Sequence, residues 1–215
     1  MRARALAAAT TVVAVSVVVG VYGRAPQAGT TSPSLITRCG SERWSVKTLT
    51  DAAVSNVRFG SIKTTTVTRL RRLKAPAALK ATTSRRAGAE RSVYRATVLL
   101  SSMRKEDDSD IHVVVSDPKL GGSMIVEFPS STCTAGGDKT ERKSMGEARA
   151  DLAAACGGEV GATPATLTGT ATITGVGFFD VIHGQTGVAP NGIELHPVLT
   201  FASTNCKRVA TPPRG

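Results

Sequence analysis

The sequence is poor in aromatic residues, and it lacks the short motifs that mark several enzyme classes. Aromatic side chains make up 4% of its 215 residues, with a single tryptophan, so aliphatic side chains and alanine must fill the core. No P-loop spacing is present, which excludes a Walker-type phosphate site. No serine stands in a G-x-S-x-G motif, which argues against a serine hydrolase of the α/β-hydrolase type. The length allows one domain with a hydrophobic core, or such a domain with an extension.

Acidic residues are outnumbered, and the imbalance belongs to one part of the chain. The sequence has 27 Lys and Arg against 16 Asp and Glu, a formal net charge of +11. Residues 38–95 hold fourteen basic and three acidic side chains, whereas residues 96–215 hold ten basic and thirteen acidic ones. A basic region of this kind either attracts an anionic polymer or only keeps the surface soluble.

Long apolar runs are also few, and the run at the N-terminus indicates export. Arg2 and Arg4 precede the uncharged residues 5–21, a pattern typical of a signal peptide but short for a spanning helix. We predict that residues 1–25 are a signal peptide, or an uncleaved anchor that attaches the protein to a membrane, and that residues 26–38 are a linker. The rest of the protein is then secreted or extracytoplasmic, in the cell envelope.

The chain has only four cysteines, and none of them belongs to a C-x-x-C pair. Their wide spacing argues against a zinc site, and in an exported protein four cysteines favour two disulfides. Of the three possible connectivities, we predict Cys39–Cys133 together with Cys156–Cys206.

The order of predicted elements indicates a β-barrel. Alternating apolar residues predict strands near residues 94–100 and 111–115, and a third strand follows a turn at residues 117–122. Ser144 and Glu147 match a capping box that would open a helix, which Gly157 and Gly158 would end. Two more strands are predicted over residues 166–179 and 193–201. Three strands, a helix and two strands are the order of a five-stranded oligonucleotide/oligosaccharide-binding (OB) barrel.

We therefore predict a mainly β fold with a smaller helical part. A five-stranded OB-like barrel, with a helix between its third and fourth strands, would occupy residues 90–206. A basic N-terminal extension, residues 39–89, would pack on the barrel, and residues 207–215 would form a tail. No internal repeat is visible, and we expect a monomer.

Acidic and histidine side chains that suit a functional site occur in two stretches of the sequence. The first is an alternating run that contains Asp108, Asp110 and His112, and Glu127 follows in the next predicted strand. The second is the glycine-rich stretch 175–199, with the polar residues Asp180, His183, Gln185, Asn191, Glu194 and His196. Carboxylates beside imidazoles suit a divalent cation or a general acid–base pair. The alternative is that these groups only form hydrogen bonds that close the barrel.

The choice of cation depends on which of these residues converge. Calcium takes oxygen ligands, for which Asp108, Asp110, Glu127 and Asp180 are candidates. A transition metal such as manganese would use the three histidines as well. We expect a divalent cation, Ca²⁺ or Mn²⁺, if the protein has a cofactor.

Several long segments resemble a family of uncharacterised exported bacterial proteins. They are CGSERWSVKTLTD, EDDSDIHVVVSD, MIVEFPSSTC and TITGVGFFDVIHGQTGVAPNGIELHPVL, and the resemblance covers most of residues 39–201. It implies export but no activity, since the family has no established function. More distantly, the predicted barrel is similar to staphylococcal-type nucleases and other OB domains, although the Asp/Arg/Glu catalytic pattern of the nucleases has no residue-by-residue match here.

Three functions fit these patterns, and we favour the first. It is a non-enzymatic binding module for nucleic acid or an envelope polysaccharide, with Arg71, Arg72 and Arg85 among the attracting residues and the polar residues of 175–199 making contacts. The second is a metal-dependent phosphodiesterase or nuclease, with the cation on Asp108, Asp110 and Glu127 and with His112 or His196 as catalytic base. The third is a structural envelope protein.

Overall fold

The computed structural model describes residues 38–209. The predicted signal peptide, nearly all of the linker and most of the tail lie outside the described residues. Within residues 38–209, no helix is both long enough and apolar enough to cross a membrane.

The described chain begins with short elements. They are the helical turn α1 (Trp44–Lys47), the strand β1 (Arg58–Thr64) and the helical turn α2 (Val67–Leu70). β1 pairs in parallel with the start of the next strand.

Five long strands follow, with one long helix among them. They are β2 (Ser92–Lys105), β3 (Ile111–Asp117), β4 (Gly121–Phe128), α3 (Lys139–Ala155), β6 (Thr170–Phe179) and β7 (Ile193–Ala202). Two shorter strands complete the set, β5 (Ala165–Thr168) before β6 and β8 (Lys207–Arg208) after β7.

The five long strands close into a barrel. β2 pairs with β3, β3 with β4, β6 with β7, and β2 with β6, all antiparallel, whereas β4 and β7 are parallel. The barrel strands therefore follow the order first, second, third, fifth, fourth and back to the first. With α3 between the third and fourth of them, this is an OB-like barrel, and the predicted fold is confirmed.

The barrel core contains the apolar residues of each strand that alternate inward. Ala96, Val98 and Leu100 of β2 are buried there with Ile111 and its β3 partners. Each large aliphatic side chain that leaves water contributes about 1.5–3 kcal/mol. On β7 a register shift against β6 places Val198 in the core with Ile193, Leu195 and Phe201, and Leu199 lies outside this core.

Two element boundaries differ from the prediction. α3 begins at Lys139, because the side chain of Asp138 accepts a hydrogen bond from the N–H of Thr140 at 2.8 Å and caps the helix. The capping box expected at Ser144 is therefore wrong, and Ser144 lies inside the helix. The fourth predicted strand is divided at Gly169, whose φ of 106° breaks the extended backbone.

The two disulfides are those predicted. Cys39–Cys133 joins the start of the described chain to the turn after β4, and Cys156–Cys206 joins the end of α3 to the segment after β7. Two disulfides fit an oxidising compartment.

Candidate functional site

One outer face of the barrel is covered by other parts of the chain. Glu127, Glu194 and His196 point away from the core, yet their exposed fractions are 7%, 1% and 0%. The segment 40–49 lies over them, and within it Arg43 donates a 2.5 Å hydrogen bond to the carbonyl of Phe179. Polar residues that the strand pattern alone would place at the surface are thus buried outside the barrel.

The cover is fixed by aromatic and ionic contacts. The Phe178 ring packs 5.5 Å from the ring of His196 and 4.6 Å from the guanidinium of Arg43. Lys47 lies 3.6 Å from a carboxylate oxygen of Asp180. Arg43 also forms a buried, two-pronged ion pair with Glu90. Phe178 and Phe179 are both buried, so the stacking platform that an exposed aromatic pair would form is absent here.

A cleft of about 300 Å³ opens between the cover and the barrel. The β2–β3 loop and the β6–β7 loop form two of its walls, and β3 and β4 form its floor. OB folds bind ligands on this face and between these loops. The polar residues that line the cleft are Ser41, Glu42, Lys47, Arg104, Glu106, Asp107, Asp108, His112, Glu127, Asp180, His183 and Gln185, and Trp44 is among the others.

The cleft is acidic, although the whole chain is basic. Its lining has six carboxylates against one lysine and one arginine, and Arg104 is itself paired with Glu106 at 2.8 Å. A cation is therefore favoured in this cleft over a bare anion.

The outer of two side-chain clusters is centred on His112. Its Nδ1 lies 3.1 Å from Oε1 of Glu127 and 3.2 Å from Oε1 of Glu106. Its Nε2 lies 3.0 Å from the carbonyl oxygen of Thr186. A carbonyl only accepts, so Nε2 carries a proton and donates it there. Nδ1 then faces both carboxylates, either as a second N–H or as a lone pair.

The inner cluster is centred on His196 and is fully buried. Its Nδ1 lies 3.5 Å from Oε2 of Glu127 and 3.7 Å from Oε2 of Glu194. Its Nε2 lies 3.3 Å from Oδ2 of Asp110, whose Oδ1 accepts a hydrogen bond from the N–H of Ser130. Glu127 therefore belongs to both clusters, with one oxygen directed to each histidine.

Burial disfavours the charged form of each ionisable group in the inner cluster. The neighbouring charges act on the same pKa values and determine which groups are charged. Burial lowers the pKa of His196, but contacts with Asp110 and Glu194 and the charge of Glu127 raise it to about 9. Burial raises the pKa of Glu194 to about 7. For Glu127 burial acts in the same direction, but the hydrogen bond from His112 and the charges of His196 and Lys47 outweigh it and lower the pKa to about 2.

Other groups at the cleft also depart from their ordinary protonation. Burial raises the pKa of Asp108 to about 6, and the charge of Asp110 adds to the effect. Burial also lowers the pKa of His112, but Glu127 more than compensates and raises it above its usual value. Asp108 is thus suited to take up and release a proton near neutral pH.

The structure brings most of the predicted site residues together. His112 and His196 converge on Glu127, and His183 lines the same cleft, so the three histidines lie in one region. Gln185 supports the loop, because its amide nitrogen donates to the carbonyl of Val181 at 2.8 Å.

Other predicted residues lie elsewhere. Asn191 donates hydrogen bonds to the carbonyls of Leu70 and Leu73 and is a structural link. Arg71 and Arg72 line a separate shallow pocket with Thr68 and Pro190, and Arg71 donates to the carbonyl of Ser123.

The prediction that Arg85 attracts an anionic polymer is also wrong. Arg85 is buried and paired with Asp51 at 2.6 Å, so it is not part of an exposed basic surface.

Sequence reasoning missed two members of the site. Glu106 is the first acid of the run that contains Asp108 and Asp110, and its spacing of two from Asp108 was the available signal. Lys47 had no such signal, because its partner Asp180 is far away in the sequence.

A scan of protein-family models and searches of curated proteins and of solved structures found no match to this chain. The geometry of the cleft therefore carries the functional argument.

Proposed function

We propose that this protein is an exported OB-fold binding module whose ligand site includes a divalent metal ion. The ion would be held by Glu106, His112 and Glu127 in the acidic cleft. The observation that carries the proposal is the orientation of His112, whose Nε2 is anchored on the Thr186 carbonyl while Nδ1 faces two carboxylate oxygens.

The distances support coordination by this group. A metal about 2.1 Å from each of its N and O ligands holds those ligands about 3–3.4 Å apart. The two separations from Nδ1, 3.1 and 3.2 Å, lie in that range, and one ligand atom from each of the three residues lies within 4.8 Å of the others. A mixed nitrogen and oxygen set favours manganese or zinc over calcium, which prefers oxygen alone.

The metal also supplies what an anionic ligand would need in this cleft. Six carboxylates line it, so a phosphate or carboxylate group would be repelled unless a cation lay between them. Three protein ligands leave coordination positions that face the cleft. Trp44 adds an aromatic face on which a base or a sugar can pack. The ligand would be nucleic acid or an acidic envelope polysaccharide.

The test is a calorimetric titration of the oxidised full-length protein with Mn²⁺. Glu106→Gln should weaken Mn²⁺ binding at least tenfold, because it removes a charged ligand that is partly exposed and therefore tolerant of change. Glu42→Gln is the matched control, since Glu42 lines the cleft outside the cluster, and it should bind as the unaltered protein does. Equal affinity in the Glu106→Gln variant would contradict the proposal.

A second candidate function, metal-assisted phosphodiester hydrolysis, is favoured by Asp108. This residue lines the same cleft as the proposed metal ligands, where a carboxyl group can act as a general acid or base. Labelled single-stranded DNA and RNA, incubated with and without Mn²⁺ or Ca²⁺, separate the two functions. Metal-dependent cleavage that Asp108→Asn abolishes would establish the hydrolase, whereas a retarded intact band would support the binding module. An unchanged band would leave the polysaccharide as the ligand.

A further inference from the structure

We propose that Glu127 bridges two metal ions, the second of which is held by His196 and Glu194 in the inner cluster. The proposal rests on the cleft ion of the proposed function and adds a second ion to it. It shares only Glu127 with that site, and the remaining ligands of the inner ion are separate residues.

The two histidines have the same arrangement around Glu127. His112 directs Nε2 to the Thr186 carbonyl and Nδ1 to Oε1 of Glu127. His196 directs Nε2 to Oδ2 of Asp110 and Nδ1 to Oε2 of Glu127. Histidines that ligate metals usually donate the other ring N–H to a carboxylate or a carbonyl, which fixes the lone pair toward the ion. His112 meets this requirement through Thr186, and Nε2 of His196 lies within ion-pair distance of Asp110, at 3.3 Å.

The inner cluster has polar atoms that the protein itself does not satisfy. Among residues 38–209, no hydrogen bond is made by Oε2 of Glu194, by Oδ2 of Asp110 or by either ring nitrogen of His196. These three residues are at most 1% exposed. Buried polar atoms without partners cost about 1–3 kcal/mol each and are rare in folded proteins. An ion bound to Nδ1 of His196 and Oε2 of Glu194 would satisfy both atoms at once.

The separations allow such an ion. Nδ1 of His196 lies 3.5 Å from Oε2 of Glu127 and 3.7 Å from Oε2 of Glu194. These are a few tenths of an ångström longer than the corresponding distances at His112, so both carboxylates would have to move toward Nδ1 by at least that much to reach manganese or zinc distance. Ions on opposite oxygens of one carboxylate can lie about 3.5–4 Å apart, as in two-metal sites.

The charge balance of the buried region also favours a second metal ion. Asp110, Glu127, Asp180 and Glu194 are four carboxylates that are at least nine-tenths buried, and Lys47 is the buried cation beside them. Buried carboxylates need a compensating positive charge. Protons on the two histidines and on Glu194 are the alternative to metal, and the two alternatives predict different metal contents.

The two ions would differ in their exchange with solvent. The outer ion touches the cleft, whereas every residue of the inner set except Glu127 is absent from the cleft lining. We expect EDTA to remove one ion rapidly and the other only on the timescale of local opening.

The experiment combines metal analysis with electron paramagnetic resonance. The oxidised full-length protein, folded in the presence of Mn²⁺ and then freed of unbound metal, should contain two manganese ions per chain. Its spectrum should show an exchange-coupled pair, because a shared carboxylate couples the two spins. Glu194→Gln and Glu106→Gln should each retain one ion, with the six-line spectrum of isolated Mn²⁺, and the Glu42→Gln control should retain the coupled pair.

The outcomes separate this proposal from the proposed function. One ion in the unaltered protein that Glu106→Gln removes and Glu194→Gln leaves in place would overturn the bridge but keep the cleft site. One ion that only Glu194→Gln removes would overturn the cleft site and the bridge together. Two ions without coupling would contradict bridging by Glu127. If Glu194→Gln does not fold, the metal content and spectrum of the unaltered protein still test whether Glu127 bridges two ions.

Discussion

Asp117, at the end of β3, joins two elements through a single carboxylate. Its Oδ1 accepts hydrogen bonds from the N–H groups of Lys119 and Leu120, and its Oδ2 accepts one from the N–H of Thr68 in α2. Burial by itself favours the neutral acid, but these hydrogen bonds outweigh it and lower the pKa of Asp117 below its usual range.

We expect Asp117→Asn to lower the free energy of unfolding by about 1–3 kcal/mol at pH 7. A carboxyl whose pKa is lower in the folded state contributes stability above its unfolded pKa of about 3.9 and loses it as the pH falls through the folded pKa. Urea denaturation at pH 7 and pH 2 should therefore show a difference that shrinks in acid. A difference that stays constant would contradict this account of Asp117.

The hydrogen bonds of the Asn191 side chain could not be predicted from the sequence. A polar residue in a glycine-rich loop was predicted to contact a ligand, but its side chain donates to the carbonyls of Leu70 and Leu73 at 3.0 and 2.9 Å. These carbonyls lie at the last residue of α2 and three residues beyond it, more than a hundred residues earlier in the chain, and no local pattern signals such a contact.

Asn191→Ala should therefore lower stability and leave metal binding unchanged. The loss should be about 1–3 kcal/mol, because two backbone carbonyls lose their donor. Thermal denaturation and a Mn²⁺ titration of the same sample check both parts. A weaker Mn²⁺ affinity with unchanged melting temperature would show that Asn191 acts in binding and not in stability.

The β6–β7 loop is the element that orients His112. Gly187 follows Thr186, has a φ of 84°, and would place a β-carbon 2.5 Å from Cγ1 of Val114. Val114 and His112 lie on the same face of β3, so the loop fits closely against the strand that carries the histidine. A side chain at position 187 would displace the Thr186 carbonyl from Nε2.

We expect Gly187→Ala to weaken Mn²⁺ binding at least tenfold. Gly184→Ala is the matched control, since Gly184 also has a positive φ of 92° but has no atom within 4 Å of the added β-carbon. The control bears the same kind of backbone strain without the collision. Equal affinities in the two variants would show that the loop position does not matter to the metal.

At the level of elements, the sequence predicted the strands and their order but not what covers them. The alternation of apolar residues predicted β2 and β3, and the helix predicted between the third and fourth barrel strands is α3. Glu194 and His196 were placed on the outer face of β7, and the structure shows them buried beneath residues 40–49. That cover comes from the opposite end of the chain, and strand periodicity cannot detect it.

At the level of the whole molecule, Cys39–Cys133 anchors the segment that closes the cleft. It holds the chain just before Gly40 and Trp44, two residues of the cleft wall, to the turn after β4. Cys156–Cys206 instead joins α3 to the end of the barrel, away from the cleft. The two disulfides are therefore expected to differ in their effect on function.

Replacing either cysteine pair by serine should lower the free energy of unfolding by about 2–5 kcal/mol. Only the double variant Cys39→Ser/Cys133→Ser should also weaken Mn²⁺ binding, because Lys47 and the cover over Glu127 lose their anchor. The Cys156→Ser/Cys206→Ser variant is the control, and it should keep its affinity. The reverse result would contradict the role given to the cover.

The most direct test of the metal site is the anomalous scattering of manganese in crystals grown with Mn²⁺. We predict a peak about 2.2 Å from Nδ1 of His112, in contact with Glu106 and Glu127. A contrary result would be manganese bound only at surface carboxylates, with Nδ1 of His112 still in direct hydrogen-bond contact with Glu127.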